Sequence, residues 1–65
     1  MSKLDEEMRA VWDVTYGSIE LEMNVENVLG LLQHHEDTID DESPRLQKVY
    51  RDEMDVMRRW LKSKY

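Results

Sequence analysis

The stretch SIELEMNVENVLG, residues 18–30, decides between two fold classes. Apolar and polar residues alternate along its first half, which is the period of a half-buried strand. Leu21, Val25 and Val28 are also three or four residues apart, as on one face of a helix, and Glu, Leu and Met are strong helix formers. The stretch is therefore compatible with a β-hairpin or with part of a long helix.

A β-hairpin over residues 11–25 would place its turn at Gly17–Ser18. Three features count against it. A lone two-stranded hairpin is marginal in water, Glu and Met are poor strand residues, and the apolar residues on both sides already have helical spacing. We therefore predict an all-α protein, with a β-hairpin plus two helices as an alternative.

The first helix is predicted from about residue 3 to about residue 35. Placed at 100° intervals, its apolar residues fall on two faces about 120° apart. A continuous helix would then have two apolar sides. Alternatively, the helix kinks or breaks at Gly17–Ser18, with Ser18 capping the next helix, and a three-helix bundle results. The sequence leaves both possibilities open.

The second predicted helix spans residues 44–63. Ser43 suits the N-cap and Pro44 the first helical position, where its missing N–H costs nothing. The apolar residues that follow share one broad face at the helical period: Leu46, Val49, Tyr50, Met54, Met57, Trp60 and Leu61. The acidic residues before it, 37–43, lack any period and are predicted to form a loop.

A chain of 65 residues without cysteine has few ways to stabilise a fold. It buries only about 60% of its unfolded surface, and small folds usually add disulfides, a metal or a partner. The absence of cysteine excludes disulfides and thiolate zinc sites. We therefore predict that residues 1–65 form one helical-hairpin domain, which dimerises into a four-helix bundle.

Unequal helix lengths predict where the second copy would bind. A helix over residues 3–35 would be about 50 Å long and one over residues 44–63 about 30 Å, so the N-terminal part of the first would form an overhang. The predicted protein interface consists of apolar residues on and near this overhang: Leu4, Met8, Val11, Trp12, Val14, Ile19 and Met23.

The net charge of −6 is unevenly distributed. Residues 1–43 contain twelve acids and two bases, a net of −10, and residues 44–65 contain seven bases and three acids, a net of +4. Such asymmetry indicates two elements with different neighbours, or a charged partner.

This asymmetry raises an alternative, nucleic-acid-linked function. The second helix offers possible contacts to a polyanion: Lys48, Arg51, Arg58, Arg59 and Lys62. Direct nucleic-acid binding is not favoured, since the overall acidic charge weakens attraction to phosphate. The acidic half could instead imitate DNA, because Glu6, Asp13 and Glu20 would line one helix face about 10.5 Å apart.

No residue pattern indicates catalysis or ligand chemistry. His34 and His35 are adjacent and would point about 100° apart on a helix, whereas metal-binding pairs need i,i+3 or i,i+4 spacing. In a last helical turn, their cationic forms would suit the helix dipole. No nucleophile–base pair or phosphate-binding glycine loop is present in the sequence. We expect no catalytic residue, metal, cofactor or small-molecule substrate.

The leading functional hypothesis is a non-enzymatic protein–protein interaction module. It would be a small adaptor, inhibitor or regulatory protein that acts as a homodimer and binds another protein. No apolar run approaches the roughly 20 residues needed to span a membrane, and the first ten residues lack the order of a secretion signal. A cytoplasmic location without membrane contact is therefore expected.

Overall fold

The computed structural model describes residues 3–17 and 19–64. Within these residues the fold is all-α and consists of three α-helices and a one-turn 3₁₀ helix: α1 (Lys3–Tyr16), α2 (Val25–Thr38), the 3₁₀ helix (Ile39–Asp41) and α3 (Pro44–Lys64). No strand occurs in the described ranges. The all-α prediction is confirmed. The β-hairpin alternative over residues 11–25 is wrong, because its first half is helical and its second half pairs with no strand.

The continuous first helix predicted over residues 3–35 is wrong, and the alternative with a break at Gly17 matches the structure. A Cβ atom at Gly17 would clash with the backbone carbonyl oxygen of Asp13, so the way the chain leaves α1 requires glycine. The amide of Ile19 donates a 2.9 Å hydrogen bond to the carbonyl of Tyr16 and closes a tight turn. Ser18, the expected cap, lies outside the described residues.

Residues 19–24 cross from α1 to α2 without regular structure. The indole N–H of Trp12 donates a 3.1 Å hydrogen bond to the carbonyl oxygen of Leu21, which fastens this segment to α1. Asn24 then caps α2, because its side-chain oxygen accepts a 2.8 Å hydrogen bond from the amide of Asn27.

The loop predicted over residues 37–43 is largely helical. α2 continues to Thr38, whose hydroxyl donates to the carbonyl of His34 at 3.0 Å, and the 3₁₀ helix follows. The side chain of Ile39 packs against the core, which explains why this acidic stretch is helical. The loop prediction is therefore wrong for all but the last two residues.

The second helix is confirmed with nearly its expected bounds. α3 begins at Pro44, and the hydroxyl of Ser43 accepts a 3.4 Å hydrogen bond from the amide of Leu46. The helix ends at Lys64, one residue beyond the prediction.

α3 is the central element of the fold. Both α1 and α2 pack on α3, while no Cα atom of α1 lies within 8 Å of one in α2. The buried apolar residues come from all three helices: Met8, Trp12, Val28, Leu31, Leu32, Met54, Met57, Trp60 and Leu61. The core therefore lies along one face of α3, with a helix on either side.

α1 does not overhang α3, so the overhang interpretation is wrong. The break after α1 lets this helix lie antiparallel along α3. Its first turn meets the end of α3, where the Asp5 carboxylate contacts the indole of Trp60 and the amine of Lys64. Met8 and Trp12 are 0% and 3% exposed, and both belong to the core of the chain itself.

Candidate functional site

An open apolar groove lies at one end of the core. It encloses about 560 Å³ between the end of α1, the second half of α2 and the first half of α3, and is lined by Val14, Thr15, Tyr16, Leu31, His34, His35, Leu46, Val49, Tyr50 and Glu53. A more open extension of about 290 Å³ runs along α1 and adds Ala10 and Val11. The two parts share Val14, Val49 and Glu53. We refer to them together as the groove.

The groove exists because the apolar face of α3 is longer than the surface that covers it. The face is buried in the second half of α3, but Leu46 and Val49 in the first half are 39% and 47% exposed. On the opposite wall, Val14 is 84% exposed. Contiguous exposed apolar residues of this kind are typical of surfaces that bind another molecule.

His35 supplies a polar group at the inner side of the groove. Its side chain is buried, and its ring packs on that of Tyr50 with the centroids 4.8 Å apart. Burial, and to a lesser degree the neighbouring His34, lower the pKa of His35 below its ordinary value. Burial therefore favours the neutral form of the imidazole. His35 lies in the last turn of α2 as expected, but its burial opposes the cationic form that would suit the helix dipole.

The Nε2 atom of His35 is buried without a hydrogen-bond partner among the described residues. An unpaired buried polar atom of this kind costs stability. His35 is thus held in place by ring packing rather than by a hydrogen bond.

Glu53 is the acidic residue of the groove. It is half-buried, and desolvation raises the pKa of its carboxyl group above the ordinary value. No ion pair or hydrogen bond joins this carboxyl group to another described residue. The groove therefore contains a carboxylate that is partly removed from water and has no counter-charge.

The seven predicted interface residues do not form one surface. Met8 and Trp12 lie in the core, so they offer nothing to a second copy. Three others are partly buried and packed against the core: Leu4, Val11 and Met23. Val14 and Ile19 are exposed. Val14 and Val11 line the groove, and Ile19 does not. The interface stays a prediction whose original basis, the overhang, is absent.

The five possible polyanion contacts are exposed on α3, and none lines the groove: Lys48, Arg51, Arg58, Arg59 and Lys62. Arg58 pairs with Glu36 at 3.5 Å, and Arg59 pairs with Asp55 at 3.1 Å. These pairs are exposed and stabilise the fold little, but they neutralise part of the basic face. A nucleic-acid-linked role stays a prediction.

The acidic face proposed as a DNA mimic is not formed by one helix. Glu6 and Asp13 lie on α1, whereas Glu20 lies in the segment that follows the helix. Asp13 also pairs with Arg9 at 3.4 Å. The regular spacing of three carboxylates expected from a continuous helix is therefore absent.

The described residues were also compared with the requirements for a metal site and for a membrane-spanning helix. Among them, no three His, Asp or Glu side chains converge in a way that could hold a metal ion. None of the helices described combines the length and apolar character needed to cross a bilayer.

Comparison with known proteins gives no assignment, since no family model, curated protein or solved structure matches the chain.

Sequence reasoning considered His35 only as a metal ligand or a residue of the last helical turn and did not single out Glu53, although a signal for the burial of each was present. His35 follows Val28 and Leu32 at i+7 and i+3, on the buried stripe of α2. Glu53 lies four residues after Val49 and four before Met57, on the apolar stripe of α3. A polar residue on an apolar stripe is the pattern that would have found them.

Proposed function

We propose that the protein is a non-enzymatic protein-interaction module that binds an apolar helical segment of another protein in the groove. The observation that carries the proposal is the uncovered apolar surface between Val14 on α1 and Leu46 and Val49 on α3. The rest of the apolar face of α3 is covered by the other helices. A bound segment would complete this cover.

A helix suits the groove better than an extended peptide does. The lining is largely apolar, and the hydroxyl of Thr15 is already bonded to the carbonyl of Val11. An extended peptide would leave its backbone N–H and C=O groups unpaired against such a surface, whereas a helix pairs its own. Amphipathic helices bind other proteins in apolar grooves in this way.

Homodimerisation stays a separate prediction. Its original motive was the overhang, and Met8 and Trp12 now lie in the core. A second copy could still cover the groove, so the mass of the protein in solution belongs to the test. Static light scattering at micromolar concentration measures that mass directly.

The test compares two surface variants as baits in extracts of the source cell. Val14→Lys places a charge in the groove at a side chain that is 84% exposed, and Lys suits the last turn of a helix. Ile19→Lys makes the same change at a 59% exposed side chain outside the groove lining. Both variants are expected to keep the wild-type circular dichroism spectrum.

We expect a protein that co-purifies with the wild type and with Ile19→Lys to be lost with Val14→Lys. Mass spectrometry with isotopic labelling would measure how much of each co-purifying protein the wild type and the two variants retain. Retention of every co-purifying protein by Val14→Lys would overturn the proposal. Loss with Ile19→Lys alone would do so too, because it would place the binding surface on the segment between α1 and α2.

A further inference from the structure

Glu53 has no cation within reach on its own helix. Its helical neighbours at i±3 and i±4 are all apolar: Val49, Tyr50, Val56 and Met57. On a helix, an acid pairs with bases that lie three or four residues away. The missing counter-charge cannot come from α3.

The facing wall of the groove does not supply a cation either. Along α1 the groove is lined by Ala10, Val11, Val14, Thr15 and Tyr16. The described lining residues include two histidines of α2 but no Lys or Arg. The last turn of α1 contains no base, so its carbonyl groups add negative potential at that end. Residues 1–43, which contain the α1 and α2 sides of the groove, carry a net charge of −10, and the bases of α3 lie outside the groove lining. The surroundings of the groove favour a basic partner.

We infer that the groove receives an amphipathic helix of another protein that carries a Lys or Arg within its apolar face, and that this cation pairs with the carboxylate of Glu53. This inference rests on the function proposed above and specifies the partner. A purely apolar helix would bury the carboxylate without a counter-charge, which is costly. A helix with an acid at this position would add repulsion. Glu53 therefore selects between helices that fit the groove equally well.

A second copy of the chain is a poorer occupant. If two grooves met across a two-fold axis, each would bring its own Glu53 and no Lys or Arg from its lining. The partner that fits the charge of the groove is a different, basic protein segment.

The experiment uses a phage-displayed library of amphipathic helices about 20 residues long. Each member has a leucine stripe in which one position is varied to every residue type. Selection on the wild-type protein is expected to enrich Lys and Arg at that position. Selection on Glu53→Gln, which keeps the shape of the side chain and removes its charge, should not.

Two labelled peptides from the enriched set then give the affinities by fluorescence anisotropy. They differ only in Lys or Glu at the varied position. We expect the wild type to bind the Lys peptide about ten-fold more tightly, and this preference to fall below about three-fold in Glu53→Gln. Asp52→Asn, which removes an exposed carboxylate outside the groove lining, should keep the full preference.

The outcomes separate this inference from the proposed function. If both peptides bind equally and Val14→Lys weakens both, helix binding in the groove stands and pairing with Glu53 is overturned. If no helix is enriched, or if Val14→Lys leaves binding unchanged, both are overturned. A wild-type dimer that Val14→Lys converts to a monomer would show that a second copy occupies the groove, which also overturns the inference.

Discussion

The indole N–H of Trp60 donates a 2.9 Å hydrogen bond to the carboxylate of Asp5, across 55 positions of sequence. The amine of Lys64 lies 3.3 Å from the same carboxylate and 5.2 Å from the centre of the Trp60 ring. These contacts fasten the first turn of α1 to the end of α3. They explain why the N-terminal residues fold onto their own chain.

Removing this carboxylate should destabilise the protein. Asp5→Ala leaves the Trp60 indole N–H unpaired, and a hydrogen bond to a charged group contributes about 1.5 kcal/mol or more. We expect the free energy of unfolding in urea to fall by about 1.5 kcal/mol, and by less in Asp5→Asn, which keeps an acceptor oxygen. Asp13→Ala, which breaks an exposed pair with Arg9, should change it by less than about 0.5 kcal/mol. Equal effects of Asp5→Ala and Asp13→Ala would contradict this account.

The two glycines should respond in opposite directions to alanine. Gly30 lies inside α2 with open space where a Cβ would stand, so Gly30→Ala should raise the free energy of unfolding by about 1 kcal/mol. Gly17→Ala should lower it, because the new methyl group meets the backbone of Asp13. Thermal melts of the two variants followed by circular dichroism would show the opposite signs. A gain with Gly17→Ala would mean that α1 can extend past residue 16.

Stability should decrease in mild acid because of His35. The unfolded chain takes up a proton near the ordinary pKa of 6.5, whereas burial lowers the pKa of His35 in the folded state. Stability is therefore lost as the pH falls below 6.5, until the pH passes the lowered folded-state pKa. His35→Phe should abolish this part of the loss, measured as the melting temperature against pH.

The same substitution should also stabilise the protein at neutral pH. It keeps a ring against Tyr50 and removes the unpaired Nε2 atom, for a gain of about 1 kcal/mol. His34→Gln is the matched control, since His34 is exposed and should leave stability at neutral pH nearly unchanged. A loss of stability in His35→Phe would show that the imidazole nitrogen has a partner.

Glu53→Gln should be more stable than the wild type at neutral pH. Burial raises the pKa of Glu53 above 4.5, so the folded state holds the proton more tightly than the unfolded chain does. Stability is consequently lost as the pH rises from 4.5 through the folded-state pKa. The urea midpoint of Glu53→Gln should be higher than that of the wild type at neutral pH. This difference between the midpoints should vanish below pH 4.5. An unchanged difference at acid pH would exclude ionisation as the cause.

Local signals were sufficient to predict α3 but not the path between the first two helices. Ser43, Pro44 and an uninterrupted apolar stripe act within a few residues of one another, and α3 forms where they indicated. The break after α1 depends also on the hydrogen bond from Trp12 to the Leu21 carbonyl, which forms only when the chain has turned back. The two apolar faces, about 120° apart, indicated a break without excluding a continuous helix.

The groove was beyond sequence reasoning for a related reason. The sequence shows that Val14 and Val49 are apolar, but their exposure depends on which parts of α3 the other helices cover. The 3₁₀ helix was missed because Asp40 and Asp41 have no helical period, and the burial of Ile39 that holds the turn is a tertiary contact. The sequence was informative where neighbouring residues determine the backbone conformation. It was not informative where packing between helices determines it.

The central position of α3 affects how the protein folds as it is made. α1 and α2 are each 14 residues long, about the length at which an isolated helix is marginal in water, and their backbones do not approach each other. Until α3 has emerged from the ribosome, neither helix has a surface on which to pack. Met54, Met57, Trp60 and Leu61, which form the α3 side of the core, are translated after both of these helices. The nascent chain therefore exposes the apolar faces of α1 and α2 until α3 has emerged, and a ribosome paused within α3 would leave those faces open to chaperones.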